Sequence, residues 1–318
     1  MAYQEADLGR VRTVPVAARR NKVDPGLLAV PPAGDQSFKA FFDSLPDVLA
    51  ARDLRAVVGG VARAARRRHG VVLLVGGHVV KVGLGPLLAA WLRQGIVTHV
   101  ALNGAAAIHD FELAAFGGTS EDVESGLADG SFGMAEETGS EMNAAIASAA
   151  AAGLGMGEGL ALALSRRPQL PGGESSILLA ALRQDVPVTV HAAIGAEIIH
   201  QHPSTDGAAL GATSHRDFRR LAGSLPALDQ GGVVLNLGSA VVLPEVFLKA
   251  LTVARNLHDG APTHFLAADL DMQRHYRPRL NVVQRPTRAG GEGYLLTGHH
   301  ELMIPLLVWG VLQELGNG

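Results

Sequence analysis

The 318-residue chain is 47% hydrophobic and 18% charged, has a formal net charge of −3 and contains no cysteine. Such a chain can bury a large core, and its weak charge gives no electrostatic reason to expect nucleic acid or a membrane as partner. The absence of cysteine excludes disulfides, zinc–thiolate centres and thiol nucleophiles. The one basic cluster, Arg63 to Arg68, is typical of the solvated end of a helix.

The N-terminal sequence lacks the apolar run of a signal peptide, and no stretch approaches 18 apolar residues, so we expect a soluble, cytoplasmic protein. Residues 1–35 contain four prolines and scattered charge, which predicts an extended arm lying on the body or on a neighbouring subunit. Residues 36–318 are then expected to form a single α/β domain.

In the first part of this domain, the sequence predicts helices that begin at Ser37 and at Asp53, followed by a βαβ unit. In that unit, the runs Val71–Val75 and Val97–Leu102 are continuously apolar, as in parallel strands buried on both faces, and a helix begins at Pro86. Ligands of open parallel sheets bind outside the carboxyl ends of the strands. We therefore predict that the segments 76–85 and 103–112 are loops that carry the function.

Three further helix–strand repeats follow. Their strands are predicted at residues 187–190, 233–235 and 263–268, and a last helix at 299–315. With the first two strands, they predict a doubly wound, mostly parallel α/β sheet of the Rossmann-like kind. An alanine-rich helix that opens at Thr138 and continues to Ala152 is expected at a helix–helix or subunit contact, because small side chains allow close packing.

Five residues near predicted strand ends are candidates for catalysis: Lys81, His109, Asp110, Glu112 and His191. Lys81 lies between valines, where its charge either snorkels to solvent or meets an anionic or electron-rich ligand group. His109 beside two carboxylates suits acid–base chemistry or the binding of a cationic amine, and a capped helix with an acidic first turn is the structural alternative. We predict that Lys81 and Asp110 face one pocket.

A metal centre is a second interpretation of the histidines. His191, His200, His202 and Asp206 are residue types that bind zinc and similar ions, although no HExxH pair is present. This pattern predicts a metal-dependent hydrolase or lyase as the alternative to an amine enzyme.

Over roughly residues 40–315, the chain resembles the deoxyhypusine synthase-like family in consistent order. The segments that carry the resemblance are 70–114, 130–146, 179–195, 231–256, 263–273 and 298–309, the last reading GHHELMIPLLVW. The resemblance implies a doubly wound NAD-binding sheet, a homotetramer assembled as a dimer of dimers, and sites between paired subunits. It also implies a transferase that oxidises the polyamine spermidine with NAD and passes a butylamine group to a lysine.

The chain departs from the family at three motifs. QRPTR at 284–288 replaces the Trp-Gly-Lys motif with its catalytic lysine, residues 243–245 replace a Lys-His-His run, and 191–195 replaces a Thr-Asp-Gly loop. Because the covalent route needs that lysine as its amine nucleophile, we predict that the chain is not a true deoxyhypusine synthase.

The family's glycine loop is matched in position by Asn103–Ala107, and small residues there permit close approach of a dinucleotide. The resemblance therefore implies NAD as cofactor, with these candidate contacts: Gly76, Gly77, Asn103, Gly104, Ala105, Gly238, Ser239, Asp269 and Asp271. The first hypothesis is an NAD enzyme of a polyamine or other small amine, the second is the metal enzyme, and the third is a non-catalytic binding protein.

Overall fold

The computed structural model describes residues 3–316, and the chain divides after Arg52 into two compact units. The elements of the first unit are 3-10 turns at Leu8–Arg10, Val16–Ala18 and Pro25–Leu27, then the helix α1 (Phe38–Ser44). Ser37 begins α1 by accepting a hydrogen bond from the backbone of Ala40. Main-chain bonds from Val30 to Ser44 and from Asp47 to Leu27 join the proline-rich arm to the region of α1.

The second unit is built on a six-stranded sheet: β1 (Val71–Val75), β2 (His99–Asn103), β3 (Val188–His191), β4 (Val233–Leu237), β5 (Leu266–Asp271) and β6 (Glu292–Thr297). All neighbouring strands are parallel, in the order β3-β2-β1-β4-β5-β6. The predicted doubly wound α/β sheet is confirmed. In this strand order, shared with dinucleotide-binding folds, the winding reverses between β1 and β4, and such reversal points are where ligands bind in open parallel sheets.

Helices cover the sheet. They are α2 (Leu49–Arg67), α3 (Gly77–Lys81), α4 (Gly85–Arg93), α5 (Gly104–Phe116), α6 (Val123–Asp129), α7 (Glu136–Ala151), α8 (Met156–Ser165), α9 (Ile177–Arg183), α10 (Gly207–Ser224), α11 (Val242–Leu257) and α12 (His300–Gly316), with a π-helix at Pro278–Gln284. β1 to β5 contain apolar residues that are almost completely buried. One face packs Val72, Leu74 and Val234 against Phe247 and Leu251 of α11. Burying each such side chain contributes about 1.5–3 kcal/mol.

The prediction that 76–85 and 103–112 are loops is wrong, because both segments are largely helical. Gly77–Lys81 forms α3, and α5 starts directly after β2, where Asn103 accepts a hydrogen bond from the backbone of Ala106 at 2.9 Å. The small, alanine-rich residues that follow favour helix. The candidate residues of these segments therefore project from helices.

β6 was missed from sequence because it is an edge strand with little apolar patterning. It follows Gly290 and Gly291, contains Gly293, and has three of its six residues exposed. Glycine weakens the strand signal, and an edge strand needs no continuous apolar run. The alanine-rich helix was predicted to open at Thr138, but α7 begins at Glu136 and Thr138 is buried in its first turn.

Between residues 3 and 316, no single helix has the length and hydropathy of a membrane span. The one pair that meets the test by length and composition is α7 with α8, bent by 118°.

Candidate functional site

A cavity of about 220 Å³ lies near the carboxyl ends of β1, β2 and β3. Its walls come from α3, from α5, from the segment around α6 and from the chain that follows β3. The lining residues are Lys81, Ala105, Ile108, His109, Glu112, Ser120, Glu121, Val123, Phe132, Ala196, Glu197 and Ile198. Three sequence candidates, Lys81, His109 and Glu112, thus meet at one cavity.

A hydrogen-bonded chain fixes the tautomer of His109. The hydroxyl of Thr119 donates to Glu112 Oε2, so its oxygen accepts from His109 Nδ1, 2.7 Å away. Thr138 donates to the other Glu112 oxygen at 2.9 Å. Nε2 of His109 therefore has a free lone pair. Burial lowers the pKa of His109, with Lys81 adding to the effect and Glu112 opposing it, so the imidazole is neutral near pH 7.

Glu197 has an unusual pair of contacts. His200 Nδ1 accepts from the backbone N–H of Gly195 at 3.1 Å, which leaves this nitrogen without a proton, yet it lies 3.1 Å from Glu197 Oε2. Two acceptors face each other unless Glu197 carries the proton. Burial raises the pKa of Glu197, although the N–H of Ala193 opposes the shift, and this direction agrees with a protonated carboxyl group.

Lys81 is the cation of the cavity. Within residues 3–316 it forms no ion pair, whereas Lys249, the other lysine after Arg52, pairs with Glu245. Three carboxyl groups, from Glu112, Glu121 and Glu197, line the same space. Carboxyl groups thus outnumber ammonium groups, and the other lining residues are apolar except for His109 and Ser120.

Asp110 does not line this cavity. It is 2% exposed and accepts hydrogen bonds from the hydroxyl of Ser176 at 2.7 Å and from the main-chain N–H groups of Ile177 and Leu178 at 2.8 and 3.0 Å. These donors belong to the first turn of α9, so Asp110 caps that helix from a neighbouring one. The sequence predicts that Asp110 and Lys81 face one pocket, whereas in the structure only Lys81 lines the cavity.

His191 belongs to a polar network inside the sheet. Ser224 donates to a main-chain oxygen of its own helix, so it accepts from His99 Nδ1 at 2.8 Å. His99 Nε2 then accepts from Thr189 at 3.0 Å, and Thr189 accepts from His191 Nε2 at 3.1 Å. Burial lowers the pKa of both imidazoles to about 3, which keeps them neutral. His191 is a poor proton acceptor in this setting.

The residues implied for NAD lie along the carboxyl edge, but their glycines contact protein. A Cβ on Gly76 would overlap the carbonyl of Gly238, one on Gly77 would approach the methyl of Ala105, and one on Gly104 would overlap the carboxyl group of Glu197. Asn103 caps α5, and Ser239 accepts from the backbone of Leu243. Close packing between strand ends explains the glycines, so these residues do not present an open cradle for a dinucleotide.

Asp269 and Asp271 end β5 in a second polar cluster. Asn236 donates to Asp269 at 2.7 Å, and His300 Nε2 lies 3.9 Å from Asp271 and 3.2 Å from the carbonyl of Leu270. Burial, with Asp271 adding to the effect, raises the pKa of Asp269 to about 7. Asn236 Oδ1 and His300 Nδ1 are buried without a hydrogen-bond partner in the described chain.

The histidines of the metal interpretation are not gathered. His202 contacts Ser204, Asp206 caps α10, His200 faces Glu197 and His191 lies in the sheet network. In residues 3–316, no group of three or more histidine, aspartate or glutamate side chains could hold a metal ion.

No family model matches the sequence, and no curated protein matches it. Among solved structures, a candidate deoxyhypusine synthase from Entamoeba histolytica matches with a TM-score of 0.53 at 10% identity, over 87% of this chain and 93% of that one. The chain has a deoxyhypusine synthase-like fold. The resemblance noted in the sequence therefore extends to the fold, although this identity is too low to carry an activity across.

Two other structural matches have TM-scores of 0.49. One is a candidate LOR/SDH protein from Methanococcus maripaludis S2, 12% identical over 84% of this chain and 71% of that one. The other is ArgZ, an arginine dihydrolase from cyanobacteria, 15% identical over 84% of this chain. The chain spans about a third of the length of ArgZ.

The sequence did not single out Glu121 and Glu197. Glu121 accepts a hydrogen bond from the backbone of Gly133 at 3.0 Å while lining the cavity, and no strand end or motif in the sequence points to it. Glu197 follows the third parallel strand, and that position was the available signal for it.

Proposed function

We propose that the cavity binds a small amine with a short apolar chain, and that the protein is an enzyme in which His109 is the general base. The observation that carries this proposal is the lining of one cavity by three carboxyl groups, one neutral imidazole and apolar side chains. Carboxylates attract an ammonium group, and the apolar walls suit methylene groups.

His109 supplies the chemical part of the proposal. Because Nδ1 is held by Thr119, a proton can enter only at Nε2, and the resulting imidazolium is stabilised by Glu112 through the Thr119 hydroxyl. An ammonium group has to lose a proton before its nitrogen has a lone pair and can act as a nucleophile. His109 is in a position to take that proton in the transition state.

Lys81 extends the proposal to amines that carry a carboxylate. Lys81 has no ion-pair partner within residues 3–316, and such an ammonium group at the wall of an acidic cavity matches a ligand with both signs of charge, such as a diamino acid. Glu121 then holds the amine group, the protonated Glu197 adds a neutral polar group to the wall, and Lys81 holds the carboxylate.

NAD is the cofactor that the resemblance implies, and the strand order is the one found in dinucleotide-binding sheets. Protein atoms occupy the space beside the glycines at the strand ends. For that reason, no step of this proposal uses NAD. If NAD were bound elsewhere along the carboxyl ends of the strands, it would supply oxidation of the amine carbon. The homotetramer is likewise a proposal that comes from the resemblance.

Calorimetric titration with 1,4-diaminobutane, spermidine and L-ornithine tests the amine site. We expect at least one of them to bind saturably, and Glu121→Gln to weaken binding about tenfold, as loss of ~1.4 kcal/mol implies. Glu124→Gln is the matched control, because Glu124 is exposed in the same segment and does not line the cavity. Binding of glutarate in preference to every amine, or equal losses in both variants, would contradict the proposal.

A further inference from the structure

A second cavity, of about 120 Å³, lies at the amino-terminal ends of β4, β5 and β6. It is bounded by the second half of α2 and by the segments that enter β4, β5 and β6, at Gly231–Gly232, His264–Phe265 and Gly290–Gly291. Because all the strands are parallel, these three segments lie together at the amino-terminal ends of the strands, which we call the amino edge of the sheet. The cavity proposed to bind an amine lies at the carboxyl-terminal ends. The two cavities are separate sites.

Positive charge dominates this amino-edge cavity. Arg63 and Arg67 lie one turn apart on α2, both exposed, and His264 lines the opposite wall. Neither arginine has a hydrogen bond or an ion pair within residues 3–316. Glu292 is the carboxylate in the lining, and it accepts a hydrogen bond from Tyr294 at 2.8 Å. Two guanidinium groups therefore face one carboxylate.

Glycines shape the same cavity. Gly231 and Gly290 have positive φ angles of 131° and 86°, which side-chain-bearing residues rarely adopt. Gly60 and Gly232 also line the cavity, although packing alone explains these two glycines, since an added Cβ would meet Leu266 at 2.6 Å and Leu228 at 2.4 Å. Bare backbone thus forms much of the wall, and the guanidinium of Arg63 lies back over Gly59, whose added Cβ would be 3.1 Å from it.

We propose that this amino-edge cavity binds a phosphate group. Guanidinium groups pair with the oxygens of tetrahedral anions through forked, charge-assisted hydrogen bonds, and two of them one helical turn apart can share one anion. A cavity of about 120 Å³ has room for one tetrahedral anion. The amine site does not depend on this one.

Phosphate titration followed by ³¹P nuclear magnetic resonance tests the site, with ionic strength held constant because surface electrostatics are screened by salt. We expect saturable binding of inorganic phosphate, competition by sulfate and not by chloride, and losses of about tenfold in Arg63→Gln and in Arg67→Gln. Arg68→Gln is the matched control, since Arg68 belongs to the same basic cluster but does not line the cavity. It should keep wild-type affinity.

Glycerol 3-phosphate distinguishes the two sources of a phosphate group. Binding at least as tight as that of inorganic phosphate assigns the site to a phosphorylated metabolite, and binding of the inorganic ion alone assigns it to free phosphate. Absence of saturable binding by both probes overturns the proposal. It is also overturned if Arg68→Gln loses as much affinity as Arg67→Gln, because the attraction would then be a diffuse property of the helix end.

Discussion

The cavity beside His109 and the buried polar residues near it contain the same residue types, but they differ in which hydrogen-bonding groups remain without a partner. Around His109, the hydrogen bonds fix one nitrogen and leave Nε2 available at a cavity wall. Around His99, both ring nitrogens are engaged, and Asp110 accepts three hydrogen bonds from the start of α9. Histidine and carboxylate next to a strand end therefore do not identify a site by themselves, and the difference between the two regions is the hydrogen-bonding capacity that remains unused.

The largest effect is expected from Asp110→Ala. The substitution leaves the Ser176 hydroxyl and two main-chain N–H groups of α9 without an acceptor in the core, and each stranded donor costs about 1–3 kcal/mol. Urea unfolding should show a loss of about 3 kcal/mol or more. Asp129→Ala, at an exposed position, should change stability by at most about 0.5 kcal/mol.

Near-wild-type stability of Asp110→Ala, together with loss of amine binding per folded molecule, would instead place Asp110 with the ligand-binding residues. That result would remove the distinction between the two regions.

The pH dependence of the free energy of unfolding should show that His191 is neutral in the folded protein. The unfolded imidazole binds a proton below pH 6.5, whereas the folded one, with a pKa of about 3, does not, so its contribution is lost as the pH falls from 6.5 towards 3. His191→Gln keeps a donor for Thr189 and removes the titration. Between pH 6 and pH 4, the wild type should lose up to about 1.4 kcal/mol more per pH unit than the variant.

His258→Gln is the control for this pH series, because His258 is exposed and lies outside the sheet network. Parallel curves for the wild type and His191→Gln would show that the imidazole of His191 is protonated in the folded protein.

The smallest effect, on affinity alone, is expected from Lys81→Met. Removing the ammonium group should weaken binding of L-ornithine about tenfold, since its carboxylate loses a partner worth ~1.4 kcal/mol, while 1,4-diaminobutane binds at least as well as before. Calorimetry measures both ligands. Lys249→Met, which removes an exposed ion pair with Glu245, should change neither affinity. A fall in diaminobutane affinity in Lys81→Met would exclude the assigned role.

The sequence by itself determined the sheet and several of its boundaries. Continuous apolar runs predicted β1, β2 and the later strands as parallel and buried, and the apolar stripe of α2, with Leu54, Val58 and Val61, is buried as its spacing requires. Gly117 ends α5 with a left-handed φ of 78°, a local requirement that any chain with this sequence meets in the same way. Local patterns succeed because the physics that they report acts between near neighbours.

Only the tertiary structure decided which polar residues share a site. Asp110 and Glu112 are two positions apart on α5, where they point in different directions, so one caps α9 and the other holds Thr119 beside the cavity. Glu197, distant in sequence from His109, lines the same cavity. The packing of α5 against α9 and the chain after β3 settles these contacts, and no spacing within a single segment encodes them.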